Sequence, residues 1–313
     1  MSNTDSSRCE TAIDFAPGML ETINETARLA PLGPIATAQF WAVGADEVYA
    51  TEEGCYPGAA GQQQHYRLYR ASASSAPVLV YVHGGGWVGG SIDLNEPAAR
   101  ALASQSGCHV FSISYRLAPD HPYPAGLEDC KAAVQWLMAG RGPVDLETQC
   151  VAIGGASAGA NLALSTALSL DRADFKALLL FYGVFDDDFE TPSYQLYADG
   201  PGLSRARMQE LFQLYDPLKR RLTDPLVTPL HAQLEGIPHT IMVAAQCDVL
   251  RSDSERLHKH LRDVAVDVDF WIEPGVTHGY INRGRTLPSA RTSLSQASQK
   301  LAAIMNKGTA NEN

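Results

Sequence analysis

Five short apolar runs recur along the chain, at residues 78–82 (VLVYV), 110–114, 151–154, 177–182 and 240–245. Continuous apolar runs of this length suit strands covered on both faces, as in a mainly parallel sheet. A sixth run, 266–272 (VDVDFWI), alternates apolar and acidic residues, which predicts a strand with one face partly open to water. Between the runs lie stretches with helical spacing at 95–106, 125–137, 158–168, 252–264 and 289–305. Strands alternating with helices predict an α/β fold with a doubly wound, mostly parallel sheet. Upstream, 47–51 and 65–70 read as two further strands, joined by a Gly-rich turn at 54–61. The first forty residues predict two short helical pieces, broken up by Pro17, Pro31 and Pro34.

One connection departs from this rhythm. Residues 183–224 keep a helical spacing (Met208, Leu211, Phe212, Tyr215) without a clear strand. About forty residues exceed a simple crossover. A helical cap above the carboxyl ends of the strands, where such sheets bind ligands, accounts for the length. The expected organisation is an N-terminal cap segment (1–45), the first part of the core (46–182), a cap insertion (183–224) and the rest of the core (225–313).

Chemistry enters at Gly155-Ala156-Ser157-Ala158-Gly159, a G-x-S-x-G sequence. Five letters alone are weak, but here a buried strand enters them and an Ala/Leu-rich helix leaves. That is the setting of a nucleophile elbow, which exposes a serine at a helix N-terminus where developing negative charge is favoured. The run His83-Gly84-Gly85-Gly86-Trp87 closes the first long apolar strand. Successive glycines offer unobstructed backbone N–H groups, so Gly84 and Gly85, with Ala158, are the candidate oxyanion donors. The run lacks the lysine and spacing of a phosphate loop. His83 reads as a loop-fixing residue. Trp87 packs on the loop or lines a substrate pocket.

A base must be sought among nine histidines. With the serine on such an elbow, acid and base follow it in that order. His258 and His260 fall inside a predicted helix, and His231 and His239 precede a strand. His278 follows the last strand and is the candidate base. Asp248, at the tip of the strand before it, is the candidate acid. Asp253 is its rival, placed in a first helical turn where acids commonly serve the helix dipole.

Composition narrows the class. A formal net charge of -11 makes nucleic acid an unfavourable partner. The start of the chain lacks the basic and apolar regions of a secretory signal, and no run reaches the length of a membrane span. Six cysteines without a C-x-x-C pair fit reduced side chains in a cytoplasmic protein. No metal is expected, since neither H-E-x-x-H nor a zinc-type cluster occurs, and Asp186-Asp187-Asp188 reads as a solvated loop. No cofactor is expected either, because no G-x-G-x-x-G opens a βαβ unit. The 266–272 strand, with Phe270 and Trp271, is a candidate sheet edge, and a homodimer through it is one possible assembly.

Together HGGGW (83–87), YRLAPDHPYPAGLED (115–129), GASAG (155–159), CDVLRSD (247–253) and HGY (278–280) resemble the hormone-sensitive lipase-like branch of α/β-hydrolases. That branch contains bacterial carboxylesterases and acetyl esterases. The resemblance implies an α/β-hydrolase fold and a Ser157–Asp248–His278 triad. It also implies a small-molecule ester as substrate, with Tyr280 beside Trp87 among the substrate-binding residues. The 115–129 stretch is long and specific, and in the family it is a structural loop. Ala156, Val249, Ser252 and Tyr280 depart from the family's commonest residues without removing a catalytic group. The same triad serves an amidase or formamidase acting on a small aromatic amide, and a non-catalytic receptor on the same fold is a third reading.

Overall fold

The apolar runs pair into one sheet. A computed structural model describes residues 13–306 of the 313-residue chain, so Cys9 and the polar tail from Lys307 lie outside the described residues. In chain order the elements are α1 (Met19–Leu29), α2 (Gly33–Ala42), β1 (Ala50–Pro57), β2 (Gln63–Arg70), β3 (Ala76–Val82), α3 (Glu96–Ser106), β4 (His109–Ile113), α4 (Ala125–Trp136), β5 (Leu146–Ala156) and α5 (Ala158–Ser169). They continue with β6 (Phe175–Phe181), α6 (Pro192–Leu196), α7 (Arg205–Tyr215), β7 (His239–Cys247), α8 (Arg251–Asp263), β8 (Val268–Thr277) and α9 (Pro288–Met305). The eight strands take the order β1-β2-β4-β3-β5-β6-β7-β8. β1, β2 and β4 pair antiparallel, and the six strands from β4 to β8 are parallel.

The continuous apolar runs are explained by layers on both faces. In β3, Val78, Val80 and Val82 join a core with Phe111, Leu162 and Leu257 beneath α4, α5 and α8. Leu79 and Tyr81 point the other way, into a core with Val110, Leu102 and Leu301 beneath α3 and α9. Each fully buried Val or Leu contributes roughly 1.5–3 kcal/mol, so a one-residue slip of β3 would exchange every side chain between the two cores.

The first strand departs from the sequence expectation. It begins at Ala50 rather than Glu47 and runs through Gly54 to Pro57, where a turn was expected. Gly54 pairs with Tyr66 across the ladder, and any Cβ at Gly54 would strike the Tyr66 ring. Glycine here is a mark of close approach rather than of a turn. The turn itself is confined to 58–62, closed by the Gly58 N–H donating to the Gln62 carbonyl at 2.8 Å.

Between β6 and β7 the chain carries α6 and α7 and no described strand. The 115–129 stretch holds this region to the core. Asp129 is fully buried and accepts from the Arg116 side chain at 2.7 and 3.0 Å, the Arg116 N–H at 3.0 Å and the Ala59 N–H at 2.9 Å. The Tyr123 N–H donates to the Tyr215 carbonyl at the end of α7, and its hydroxyl to Asp224 at 2.6 Å. Asp186 meets Arg256 and His231, Asp187 meets Arg221 and Asp188 lies 3.9 Å from Arg256, so this acidic run is tied down by protein side chains rather than left as the solvated loop expected. Among the described residues no helix is long and apolar enough to cross a membrane. Cys108, Cys130 and Cys247 are buried thiols, Cys150 is partly buried and Cys55 is exposed.

Candidate active site

Five parallel strands end at one place. β3 delivers the 83–86 loop, β5 Ser157, β6 Tyr182, β7 Asp248 and β8 His278. Ser157 sits between β5 and the twelve-residue α5 at φ 57°, ψ -124°. A non-glycine residue at such a φ is strained by about 1–3 kcal/mol and persists only where its surroundings hold it. They do: the Ser157 N–H donates to the Phe181 carbonyl at 2.9 Å, and its own carbonyl accepts from Ala160 and Asn161. Gly159 is required because a Cβ there would collide with the Val82 and His83 carbonyl oxygens. The elbow glycine is thus a packing condition between α5 and the end of β3.

His278 Nε2 lies 2.8 Å from Ser157 Oγ, and its Nδ1 lies 2.7 Å from Asp248 Oδ2. A carboxylate opposite Nδ1 favours the tautomer that carries its proton there. Nε2 is then left to accept from the serine hydroxyl. Asp248 is 1% exposed, and its second oxygen accepts from the Leu250 N–H at 3.1 Å. The ring of Tyr182 packs edgewise on the imidazole, with centroids 4.9 Å apart. Tyr182 holds this pose at φ 36°, with its N–H donating to the Val243 carbonyl at 2.6 Å.

The rival acid does something else. Asp253 accepts from the N–H groups of Phe185 and Asp186 at 2.9 and 3.1 Å. It is fully buried. Burial pushes its carboxyl up to about 8, against the pull of those two N–H groups.

Gly84 and Gly85 face Ser157 across the cavity floor. Among the described residues none accepts from the N–H of Gly84, Gly85 or Ala158. Gly85 has φ 142°, and a Cβ there would collide with Gly89. His83 stacks on Tyr115, centroids 4.5 Å apart, and its Nδ1 donates to the Gly84 carbonyl at 3.0 Å. Burial lowers its pKa to about 4, so it is a neutral brace for the loop.

Two expected pocket residues are elsewhere. Trp87, at φ 61°, turns under the loop and stacks on Tyr215 with centroids 4.2 Å apart and planes 2° from parallel. Tyr280 is buried, and its hydroxyl pairs with Ser293 on α9 at 2.5 Å. Neither lines the cavity of about 350 Å³ that holds Ser157 and His278. Its walls come instead from Leu94 and Asn95 before α3, Leu203, Arg207, Met208 and Leu211 at α7, and Asn282 and Arg283 after His278. Among the described residues of the N-terminal segment, 13–45, none lines it. Sequence alone does not mark these wall residues. The one sequence signal for them is the apolar spacing Met208–Leu211, which marks an inward helix face.

A family model described as the alpha/beta hydrolase fold matches residues 79–282. The chain belongs to the α/β-hydrolase fold family, in its hormone-sensitive lipase-like branch. Among these hydrolases it is similar to a carboxylesterase of Mycobacterium tuberculosis, 34% identical over 221 residues, 68% of this chain and 69% of the relative. It is also similar to an ethyl acetate hydrolase of Pseudomonas putida, 30% identical over 237 residues, 73% of this chain and 74% of the relative. A solved esterase structure from Pyrobaculum calidifontis superposes with a TM-score of 0.79 at 28% identity, over 91% of this chain and 92% of that one. An α/β-hydrolase with this sheet order presents its elbow, glycine loop and β7 and β8 tips on one edge. That is where Ser157, Gly84, Asp248 and His278 stand.

Proposed function

We propose that this hydrolase of carboxylic esters acts on small, short-acyl substrates through an acyl-enzyme on Ser157. The observation that carries the reading is the unbroken line Asp248–His278–Ser157, with hydrogen bonds of 2.7 and 2.8 Å, opening beside the unpartnered N–H groups of the glycine loop. Asp248 orients the imidazole and stabilises its cation. His278 takes the Ser157 proton as Oγ attacks the ester carbonyl. The N–H groups of Gly84, Gly85 and Ala158 hold the resulting oxyanion, each such donor contributing on the order of 100–1000-fold in rate. His278 returns the proton to the departing alcohol, then activates the water that frees the acid.

Short acyl chains are supported by size and by kinship. About 350 Å³ lies near the lower end of ligand pockets, which run from roughly 300 to 1000 Å³. Leu203, Met208 and Leu211 close one side, so residues 183–224 act as the cap in this reading. One relative is named for ethyl acetate and another for acetyl esters. We place the enzyme in the cytoplasm, where the exposed Cys55 thiol stays reduced. β8, at the sheet edge, is the face for a homodimer.

The test is turnover of a p-nitrophenyl ester series by wild type and Ser157→Ala. The reading requires kcat/KM to peak at two to four acyl carbons and the variant to lose about 10⁵-fold or more in kcat, leaving the residual that binding and oxyanion donors supply. Wild-type-like turnover by Ser157→Ala would end the reading. Faster cleavage of N-formyl aryl amides than of any ester would reassign the leaving group.

A further inference from the structure

The charge in the cavity contradicts the charge of the chain. The protein carries a formal net charge of -11. Yet among the described residues lining the Ser157 cavity there is no Asp or Glu, and the charged ones are Arg207 and Arg283. Arg207 stands at the exposed side on α7, where its guanidinium already meets Glu210 at 2.6 Å. Arg283 is different. It is only partly exposed, and no described carboxylate pairs with its guanidinium. Its neighbours are aromatic: the guanidinium carbon lies 4.5 Å from the centre of the Trp41 ring, and Tyr182 stands close by.

A cation taken out of water without an anion is costly to a fold. Stacking on Trp41 offsets this only in part, on the order of 0.5–2 kcal/mol. Desolvation pulls the Arg283 guanidinium down to about 10, still well above neutrality, so the charge is retained. It sits five residues after His278, in the same turn that carries the base. Asn282 cannot serve as the missing partner. Its Oδ1 accepts from the Ala98 N–H and its Nδ2 donates to Asn95. A cationic fork with free donors beside a nucleophile matches the planar geometry of a carboxylate.

Resting on the acyl-enzyme reading above, we propose that the physiological substrate is a small ester bearing a carboxylate, held by Arg283 within the cavity and met by Arg207 at its mouth. The carboxylate belongs either to the acyl half, as in a half-ester of a short dicarboxylic acid, or to the alcohol half, as in an acylated hydroxy acid. Arg283 binds and orients the ester. Ser157 and His278 carry out the same transfer as before, and the carboxylate itself takes no part in bond making.

Two substrate pairs of matched size decide the matter: monoethyl succinate against ethyl 4-methylpentanoate, and acetoxyacetate against isobutyl acetate, followed by pH-stat. The expected result is a kcat/KM ratio of anionic to neutral ester above about 10 in one pair for wild type. The pair that shows it identifies the half carrying the carboxylate. In Arg283→Met that ratio falls roughly 10–100-fold, the worth of one charge-assisted hydrogen-bonded contact, while Arg283→Lys retains part of it. A ratio does not depend on how much enzyme is folded, so loss of the Trp41 stack in the variant leaves the measurement valid. A wild-type ratio near or below one in both pairs, or a ratio unmoved by Arg283→Met, overturns the proposal and leaves the acyl-enzyme reading standing. Hydrolysis of none of the four esters, nor of any p-nitrophenyl ester, overturns both.

Discussion

Asp248 and Asp253 leave the same tip of β7, five residues apart, and both are shut away from water at 1% and 0% exposure. Asp248 looks across to β8 and meets an imidazole, a group that can itself become a cation. Asp253 lies in the first turn of α8 and meets only the backbone N–H groups of Phe185 and Asp186, where the chain leaves β6. Two neutral dipoles do not repay the burial of a charge, and its carboxyl is pushed up to about 8. The pair shows that burial alone does not separate the two acids. In the proposed mechanism, what sets Asp248 apart is a partner that changes charge during the reaction. Asp253 pins the entrance of the α6–α7 insertion, and with it the cavity wall.

The largest separation between the two acids is expected in rate. Asp248→Asn should lower kcat about 10⁴-fold, because an amide opposite Nδ1 favours the wrong tautomer. Asp253→Asn should change kcat by less than about tenfold, since an amide oxygen still accepts from Phe185 and Asp186. Steady-state kinetics on one short ester checks both, and similar losses in the two variants would erase the distinction. A smaller effect is expected in stability against pH. With a folded pKa raised from 3.8 to about 8, Asp253 keeps its proton in the folded protein while the unfolded chain has released it. Its contribution is therefore complete below about pH 4, declines as pH rises, and is gone above about pH 8. The slope is at most about 1.4 kcal/mol per pH unit. Urea midpoints between pH 5 and 8 should fall less steeply in Asp253→Asn than in wild type. Equal slopes would show that Asp253 is ionised in the fold.

Much of this is legible in the sequence, for reasons that differ by region. Strands covered on both faces must be apolar throughout, so β3 to β7 stand out in one dimension. The order serine, acid, histidine came from reading Ser157 on a nucleophile elbow, and the placing of Asp248 and His278 at strand tips followed from where a parallel sheet presents its carboxyl ends. Gly54 misled because a glycine that admits the Tyr66 ring looks the same in sequence as one that makes a turn. Trp87 misled because its direction is set by a positive φ that only the folded loop imposes. The cavity wall was illegible as a whole. Arg207, Arg283 and Leu94 come from three separate segments and share no spacing. The longest recognisable stretch, 115–129, turned out to carry the Arg116–Asp129 scaffold rather than any reacting group.

In the proposed mechanism Ser157 Oγ is the atom that receives the acyl group. Treatment with diethyl p-nitrophenyl phosphate, a phosphorylating analogue of an ester that the relay would attack but not readily release, tests this directly. Intact-mass and peptide mapping should find one diethylphosphoryl group per chain, on Ser157, with one equivalent of p-nitrophenol released and esterase activity lost in step. A label on another residue, or activity lost while Ser157 remains unmodified, would contradict it.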